Sequence, residues 1–157
     1  KDAGSPLIEF TKGEFQTVIP EQDDSLDPQK VERLIVCSGK VYYDLVKQRA
    51  DKKIDTAAIV RIEQLYPFPH KAVASIIKSY PNLTELVWCQ DEPQNQGAWF
   101  FVQHNLLENM GEGMRLGYAG RPASASPAVG YAHLHQSQQK ALLTAAFAKL
   151  KGFVVTK

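Results

Sequence analysis

The side chains able to do chemistry fall in short polar stretches that follow apolar runs. Arg121 stands between Gly120 and Pro122 in a segment of small residues almost free of charge. A guanidinium there could fork onto a phosphate or carboxylate, and could equally clamp loop carbonyls or pair with Glu92. Gly39-Lys40 follows one apolar run and opens a helical pattern, and the N–H groups of such a helix start favour an anion. Ser124 and Ser126 add hydroxyls near Arg121. Lys40, Arg121, Ser124 and Ser126 are therefore the candidate anion-binding residues.

Other constellations are incomplete. Asp91 and Glu92 are adjacent acids, whereas glycosidase-type work needs two carboxylates at a defined separation; they read as loop-ordering groups. Of the four histidines, His70 opens a helix, His104 lies among apolar helical neighbours, and His133 and His135 share a side only in an extended segment. A metal site would need further ligands, and none sits nearby in sequence. There is no Gly-x-Ser-x-Gly elbow and no Walker pattern. Gly111-Glu112-Gly113 precedes an apolar run, whereas a dinucleotide fingerprint must follow a strand. These residues assign no catalytic role and no metal.

Alternating strands and helices must position these groups. Arg33-Leu34-Ile35-Val36-Cys37-Ser38, Ala57-Ala58-Ile59-Val60-Arg61-Ile62 and residues 85–90 are near-continuous apolar runs, as expected of strands buried on both faces. Met114-Arg115-Leu116-Gly117-Tyr118 is a weaker fourth. Ser38 is placed to cap a helix carrying Val41, Tyr42, Leu45 and Val46. Val73, Ile76, Ile77 and Tyr80 recur at helical spacing, and Pro81 closes that helix. Trp99, Val102, Leu106 and Leu107 mark a third helix, and Leu143, Ala146, Phe147 and Leu150 a fourth, over 136–150.

Four strand–helix repeats with right-handed crossovers predict a three-layer α/β/α fold, its mainly parallel sheet covered by helices on both faces. The loops after the strands should then share one edge, where such sheets bind. Glu63, Pro67, Glu92, Gln96 and Gly97 are the expected structural residues of that edge. Pro93 should end its strand by denying a ladder hydrogen bond. Residues 1–30 are poorly periodic and read either as a connector that packs onto something or, equally, as a partly ordered arm, with the domain proper at 31–157.

Bulk properties narrow the function classes. The 157 residues suit one domain with a real core. Eighteen basic residues against seventeen acidic ones leave a net charge of +1, which favours neither nucleic acid nor a membrane surface. No apolar run approaches the ~20 residues of a membrane span. Cys37 and Cys89 sit inside strand patterns and should be reduced core thiols. Asn82-Leu83-Thr84 matches a glycosylation acceptor, but the first residues lack the apolar core of a signal peptide, so the match reads as chance. The missing initial Met points to a processed protein or a piece of a longer one.

Four blocks carry a family resemblance. They are Val36-Cys37-Ser38-Gly39-Lys40-Val41-Tyr42-Tyr43-Asp44-Leu45, then Ile59-Val60-Arg61-Ile62-Glu63-Gln64-Leu65-Tyr66-Pro67-Phe68-Pro69, then Val87-Trp88-Cys89-Gln90-Asp91-Glu92-Pro93-Gln94-Asn95-Gln96-Gly97-Ala98-Trp99, then 118–131. In that order they resemble the C-terminal domain of the E1 component of 2-oxoglutarate dehydrogenase. The first thirty residues resemble, more loosely, the tail of the preceding domain and a linker.

The resemblance implies a transketolase-like C-terminal domain of an enzyme that decarboxylates 2-oxoglutarate with thiamine diphosphate and Mg²⁺. That enzyme passes the succinyl group to the lipoyl group of its E2 partner, dihydrolipoyl succinyltransferase, in the citric acid cycle. It implies a homodimer, the remaining E1 domains as neighbours, and a cytoplasmic (bacterial) or mitochondrial-matrix setting. Such enzymes hold the Mg²⁺–diphosphate with Gly-Asp-Gly followed by an Asn. Here Gly111-Glu112-Gly113 is the nearest sequence and no Asn follows it, so the cofactor should not be bound by this chain. The implied role is support of the dimer and the catalytic domains. In some relatives the region takes part in nucleotide or acetyl-CoA regulation, which makes the four anion candidates an effector site to test. A free-standing nucleotide-binding or interaction module is the alternative, and an independent small enzyme would need a converging polar site that these residues do not provide.

Overall fold

A computed structural model of the chain describes Gly4, residues 7–150 and residues 154–157. The remainder of the signal-peptide reading, at residues 1–3, 5 and 6, lies outside the described residues. Among them the elements in chain order are α1 (Leu7–Lys12), β1 (Val18–Ile19), β2 (Arg33–Cys37), α2 (Val41–Lys52), β3 (Ala57–Ile62), α3 (His70–Lys78), β4 (Glu85–Pro93), α4 (Trp99–Asn109), β5 (Arg115–Arg121), α5 (Ala132–Phe147) and β6 (Val154–Thr156).

Strand order across the sheet is β1-β3-β2-β4-β5-β6. The inner strands β3, β2, β4 and β5 run parallel, and the edges β1 and β6 are antiparallel to their neighbours. The α/β architecture expected from the apolar runs is therefore present, with two short edge strands added.

Strand alternation builds two cores. Leu34, Val36, Val60, Leu86, Trp88 and Leu116 face one side, where Val73 and Ile77 of α3 and Trp99, Val102 and Leu106 of α4 cover them. Ile35, Cys37, Ile59, Val87, Cys89 and Ala119 face the other, beneath Val41 and Leu45 of α2 and Leu142 and Ala146 of α5. The sheet is thus the middle of three layers.

Several local details differ from the sequence reading. No side chain caps α2: its N-cap is Lys40, and Ser38 lies two residues earlier. β4 runs three residues past the expected 85–90 and ends, as expected, at Pro93. It gets there through a register shift between Cys89 and Pro93, and Pro93 pairs with Arg121, so the missing N–H falls where the ladder is already broken. β5 likewise runs three residues past Tyr118, which puts Arg121 at a strand end rather than in a loop. α5 begins at Ala132, so His133 and His135 are helical and diverge.

The segment read as a connector supplies β1, which pairs with β3 through Val18↔Ile62 and Ile19↔Arg61. Behind it, Glu21 reaches into the domain. Its carboxylate accepts from Arg49 Nη1, from Arg49 Nη2 at 2.9 Å and from the Ile59 backbone N–H at 2.8 Å. Farther out, Leu7, Ile8, Phe10 and Phe15 are exposed.

At the amino-terminal end of the sheet, Arg33, Glu85 and Arg115 stand in register on three adjacent strands. The buried Glu85 carboxylate pairs with both guanidinium groups. Arg33 also donates to the Ala146 carbonyl of α5 at 3.1 Å. This end is closed by ion pairs, which leaves the carboxyl-terminal edge for loops.

Candidate functional site: the carboxyl-terminal rim

The rim is organised by one buried amide. In β4, Trp88, Gln90 and Glu92 project to the same side, and Gln90 is only 2% exposed. Its Oε1 accepts from Trp88 Nε1 at 2.8 Å and from the Trp99 backbone N–H at 3.0 Å. Its Nε2 donates to the carbonyls of Gln96 at 2.8 Å, Pro93 at 3.1 Å and Glu92 at 3.3 Å. One side chain thus joins the strand, the polar loop and the first residue of α4. Gly97 fits against this knot with φ +64°; a Cβ built there would meet Gln90 Nε2 and the Glu92 Cβ, each at 3.0 Å.

The loops after β4 and β5 are laced together. Gln94 N–H donates to the Arg121 carbonyl at 3.0 Å. Asn95 and Ser124 exchange two hydrogen bonds of 2.9 Å, and Gln96 Nε2 donates to the Ser124 carbonyl at 3.0 Å. After β3, Gln64 Nε2 donates to the carbonyl of Pro67, whose peptide bond with Tyr66 is cis. Glu63 pairs with Arg61 Nε at 2.6 Å, and its backbone N–H meets Thr17. The expected edge residues Glu63, Pro67, Glu92, Gln96 and Gly97 therefore lie at one end of the sheet, as the parallel topology requires.

The four anion candidates are not brought to one point. Arg121 is 6% exposed, and its guanidinium is occupied. Nε donates to the Asp91 carbonyl at 2.7 Å, Nη1 to His135 O and Gln138 Oε1 at 3.3 and 3.1 Å, and Nη2 to Gln139 Oε1 at 2.7 Å. Gln139 in turn donates to Asp44 of α2 at 2.9 Å. This is a clamp between the sheet end and α5, and it leaves Glu92 aside. Arg121, Ser124 and Ser126 nevertheless share the wall of a cavity of about 150 Å³. Lys40 is exposed at the start of α2 and does not line it.

Asp91 and Glu92 order the rim through backbone carbonyls rather than carboxylates. Asp91 Oδ1 is buried and accepts no hydrogen bond among the described residues. The Glu92 carboxylate has no hydrogen-bond or ion-pair partner there either. His104 is exposed, with its ring 6.1 Å from Phe101. Below the rim, Cys37 and Cys89 are register neighbours on β2 and β4. Burial pushes both thiols well above their ordinary pKa.

A second cavity, of about 460 Å³, opens between the ends of β2, β3 and β4. Trp88 and Gln90 form its floor, and Tyr66 and Phe101 stand at its wall. The residue runs had not marked these groups. The available signal was the Trp-x-Gln-x-Glu alternation at the end of an otherwise apolar strand, which aims a buried amide and a carboxylate at the same side.

The fit of a diphosphate-bound metal can be tested directly. Gly111-Glu112-Gly113 lies between α4 and β5, at the amino-terminal end of the sheet and opposite the rim. Among the described residues no three His, Cys, Asp or Glu side chains are grouped to hold a metal ion. These residues do not fit a Mg²⁺–diphosphate site.

The family described as 2-oxoglutarate dehydrogenase C-terminal matches residues 4–147. The chain belongs to this family. It is similar to the 2-oxoglutarate dehydrogenase E1 component of Cupriavidus necator, 68% identical over all 157 residues, which span 16% of that relative. The E1 component of Haemophilus influenzae is 55% identical over 90% of this chain and 15% of the relative, and the mitochondrial 2-oxoglutarate dehydrogenase of Schizosaccharomyces pombe is 43% identical over 90% and 15%. The chain thus spans about one-sixth of the length of the curated relatives it matches. Among the described residues, no helix is long and apolar enough to cross a membrane.

Proposed function

We propose that this chain is the C-terminal domain of the E1 component of a 2-oxoglutarate dehydrogenase, acting as a support for the dimer and for the catalytic domains. The whole enzyme would decarboxylate 2-oxoglutarate with thiamine diphosphate and Mg²⁺. It would succinylate the lipoyl group of dihydrolipoyl succinyltransferase, in the bacterial cytoplasm or the mitochondrial matrix. The single observation that carries this reading is the family match over residues 4–147, supported by relatives named as E1 components. The rim supports the domain's auxiliary role: Gln90, Arg121, Asn95 and Gln96 spend their polar groups on holding strand ends and loops together. Removing this segment from the full-length enzyme is expected to abolish both dimerisation in sedimentation and 2-oxoglutarate-dependent NADH formation by the complete complex. A truncated enzyme that stays dimeric and active would overturn it.

A second reading places a nucleotide-type effector at the smaller rim cavity. It is favoured by the shared wall of Arg121, Ser124 and Ser126. Because Arg121 is already clamped, the effector would have to take a guanidinium N–H from Gln138 or Gln139. Titration of the full-length enzyme with AMP and with acetyl-CoA, against Arg121→Ala and Ser126→Ala, tests it. Unchanged affinities remove both residues from any such site.

A further inference from the structure

The 460 Å³ cleft occupies the topological switch point of the sheet. From β2 the chain leaves through α2, on one face, toward β3; from the adjacent β4 it leaves through α4, on the other face, toward β5. The two loops part, and a crevice opens between them at the carboxyl ends of the strands, which is where open α/β sheets take ligands. Its volume lies within the range of small-molecule sites. It shares no lining residue with the cavity beside Arg121.

The lining chemistry is selective. Gly39 gives one wall, the Trp88 indole lies at the floor, and Tyr66 and Phe101 stand at the mouth with ring centroids 6.4 Å apart. Tyr66 is 81% exposed although it is a large ring. The polar amide at the floor, Gln90, is saturated by five hydrogen bonds within the rim. Beside the neutral hydroxyls of Ser38 and Tyr66, the cleft offers a ligand one charged group, the carboxylate of Glu92, which has no partner among the described residues. No lysine or arginine lines it. Glu92 is exposed and unpaired, and a cleft that an unpaired carboxylate and aromatic rings line together attracts a cation twice over, by Coulomb attraction and through the ring quadrupoles. It repels a phosphate or carboxylate.

We propose that this cleft is a binding site for a small planar aromatic group bearing a protonated amine, held by ring contact with Tyr66 and Phe101 and by an ion pair with Glu92. The site is distinct from the anion candidates at Arg121 and independent of the dimer-support role.

The test compares tryptamine with indole-3-acetate, probes of similar shape and opposite charge, on the full-length protein carrying this chain. Saturation-transfer NMR detects contact and calorimetry gives affinity, for wild type, Glu92→Gln and Tyr66→Ala, each checked for an unchanged thermal midpoint. Tryptamine is expected to bind wild type, about fivefold more weakly in Glu92→Gln as befits a partly exposed ion pair, and more weakly again in Tyr66→Ala. Indole-3-acetate is expected to bind more weakly than tryptamine to wild type and to gain on tryptamine in Glu92→Gln. No transfer to tryptamine, equal affinity of the two probes for wild type, or affinities that both variants leave unchanged would each overturn the assignment.

Discussion

Replacing Gln90 by leucine probes the rim at its centre. Leucine has similar bulk, so the change removes hydrogen bonds more than packing. The Trp88 indole N–H, on a side chain with no exposure, loses its acceptor at 2.8 Å. Stranding one such buried donor costs about 1–3 kcal/mol. The Trp99 amide loses its 3.0 Å bond to the same oxygen, and the carbonyls of Glu92, Pro93 and Gln96 lose a shared donor. Some of these carbonyls can turn to water. The summed loss is then about 3–5 kcal/mol, a large part of the stability of a domain this size. Urea unfolding followed by tryptophan fluorescence reads it well, because the chain's two tryptophans both bond to Gln90. Gln96→Leu is the control. It removes one bond at the partly open Ser124 carbonyl and should cost about 1 kcal/mol. A Gln90→Leu loss below 1 kcal/mol, or one equal to that of Gln96→Leu, would refute the view that this amide holds the rim.

Three further outcomes follow from the same geometry. Glu21→Gln removes the nearer of the two carboxylates that face the buried Arg49, with Asp23 remaining at 3.4 Å, and is expected to cost about 2 kcal/mol; it should also open the chain to trypsin at Lys30, and an unchanged digestion pattern would separate the arm from the domain. Gly97→Ala must place a Cβ at positive φ against Gln90 and Glu92, so a loss of about 1–3 kcal/mol is expected, checked by the urea midpoint. Cys37 and Cys89 should resist Ellman's reagent at pH 8 when native and react when unfolded, since burial raises both thiol pKa values. The native state keeps these thiol protons while the unfolded chain releases them near pH 9, so their contribution to stability is complete below that pH and fades above it. A Cys37→Ala/Cys89→Ala variant should show a shallower decline on the alkaline side.

The parallel core was legible because strands covered on both faces read as unbroken apolar runs: Leu34 to Cys37 and Ala57 to Val60 could hardly be anything else once flanked by helical periods. The two-residue β1 and three-residue β6 left no such pattern, since an edge strand is held by backbone pairing that any side chain permits. The end of β4 at Pro93 was legible from its missing N–H, whereas the register shift that carries the strand on from Gln90 leaves no mark in the residue types. Arg121, a lone guanidinium among small residues, clamps carbonyls, one of the roles its setting allows, and what its neighbours in sequence could not show is the pair of side-chain amides of α5 that share it. Helix-face periodicity gives no account of Gln138 and Gln139, which sit eighteen or fewer residues away in sequence. Gln90 was passed over because a neutral amide inside an apolar run carries no charge to attract attention. Its value lies in valence: it can donate and accept at once, which is what a strand-to-loop junction with both orphan kinds requires.

The central claim is that this domain steadies an enzyme without itself holding a reactive centre. The most direct measurement is CO₂ release from 2-oxoglutarate by the rigorously purified 157-residue chain, supplied with thiamine diphosphate and Mg²⁺, beside the full-length enzyme under the same conditions. Release by the full-length enzyme and none by the chain is the predicted result. Turnover by the chain alone would contradict the account.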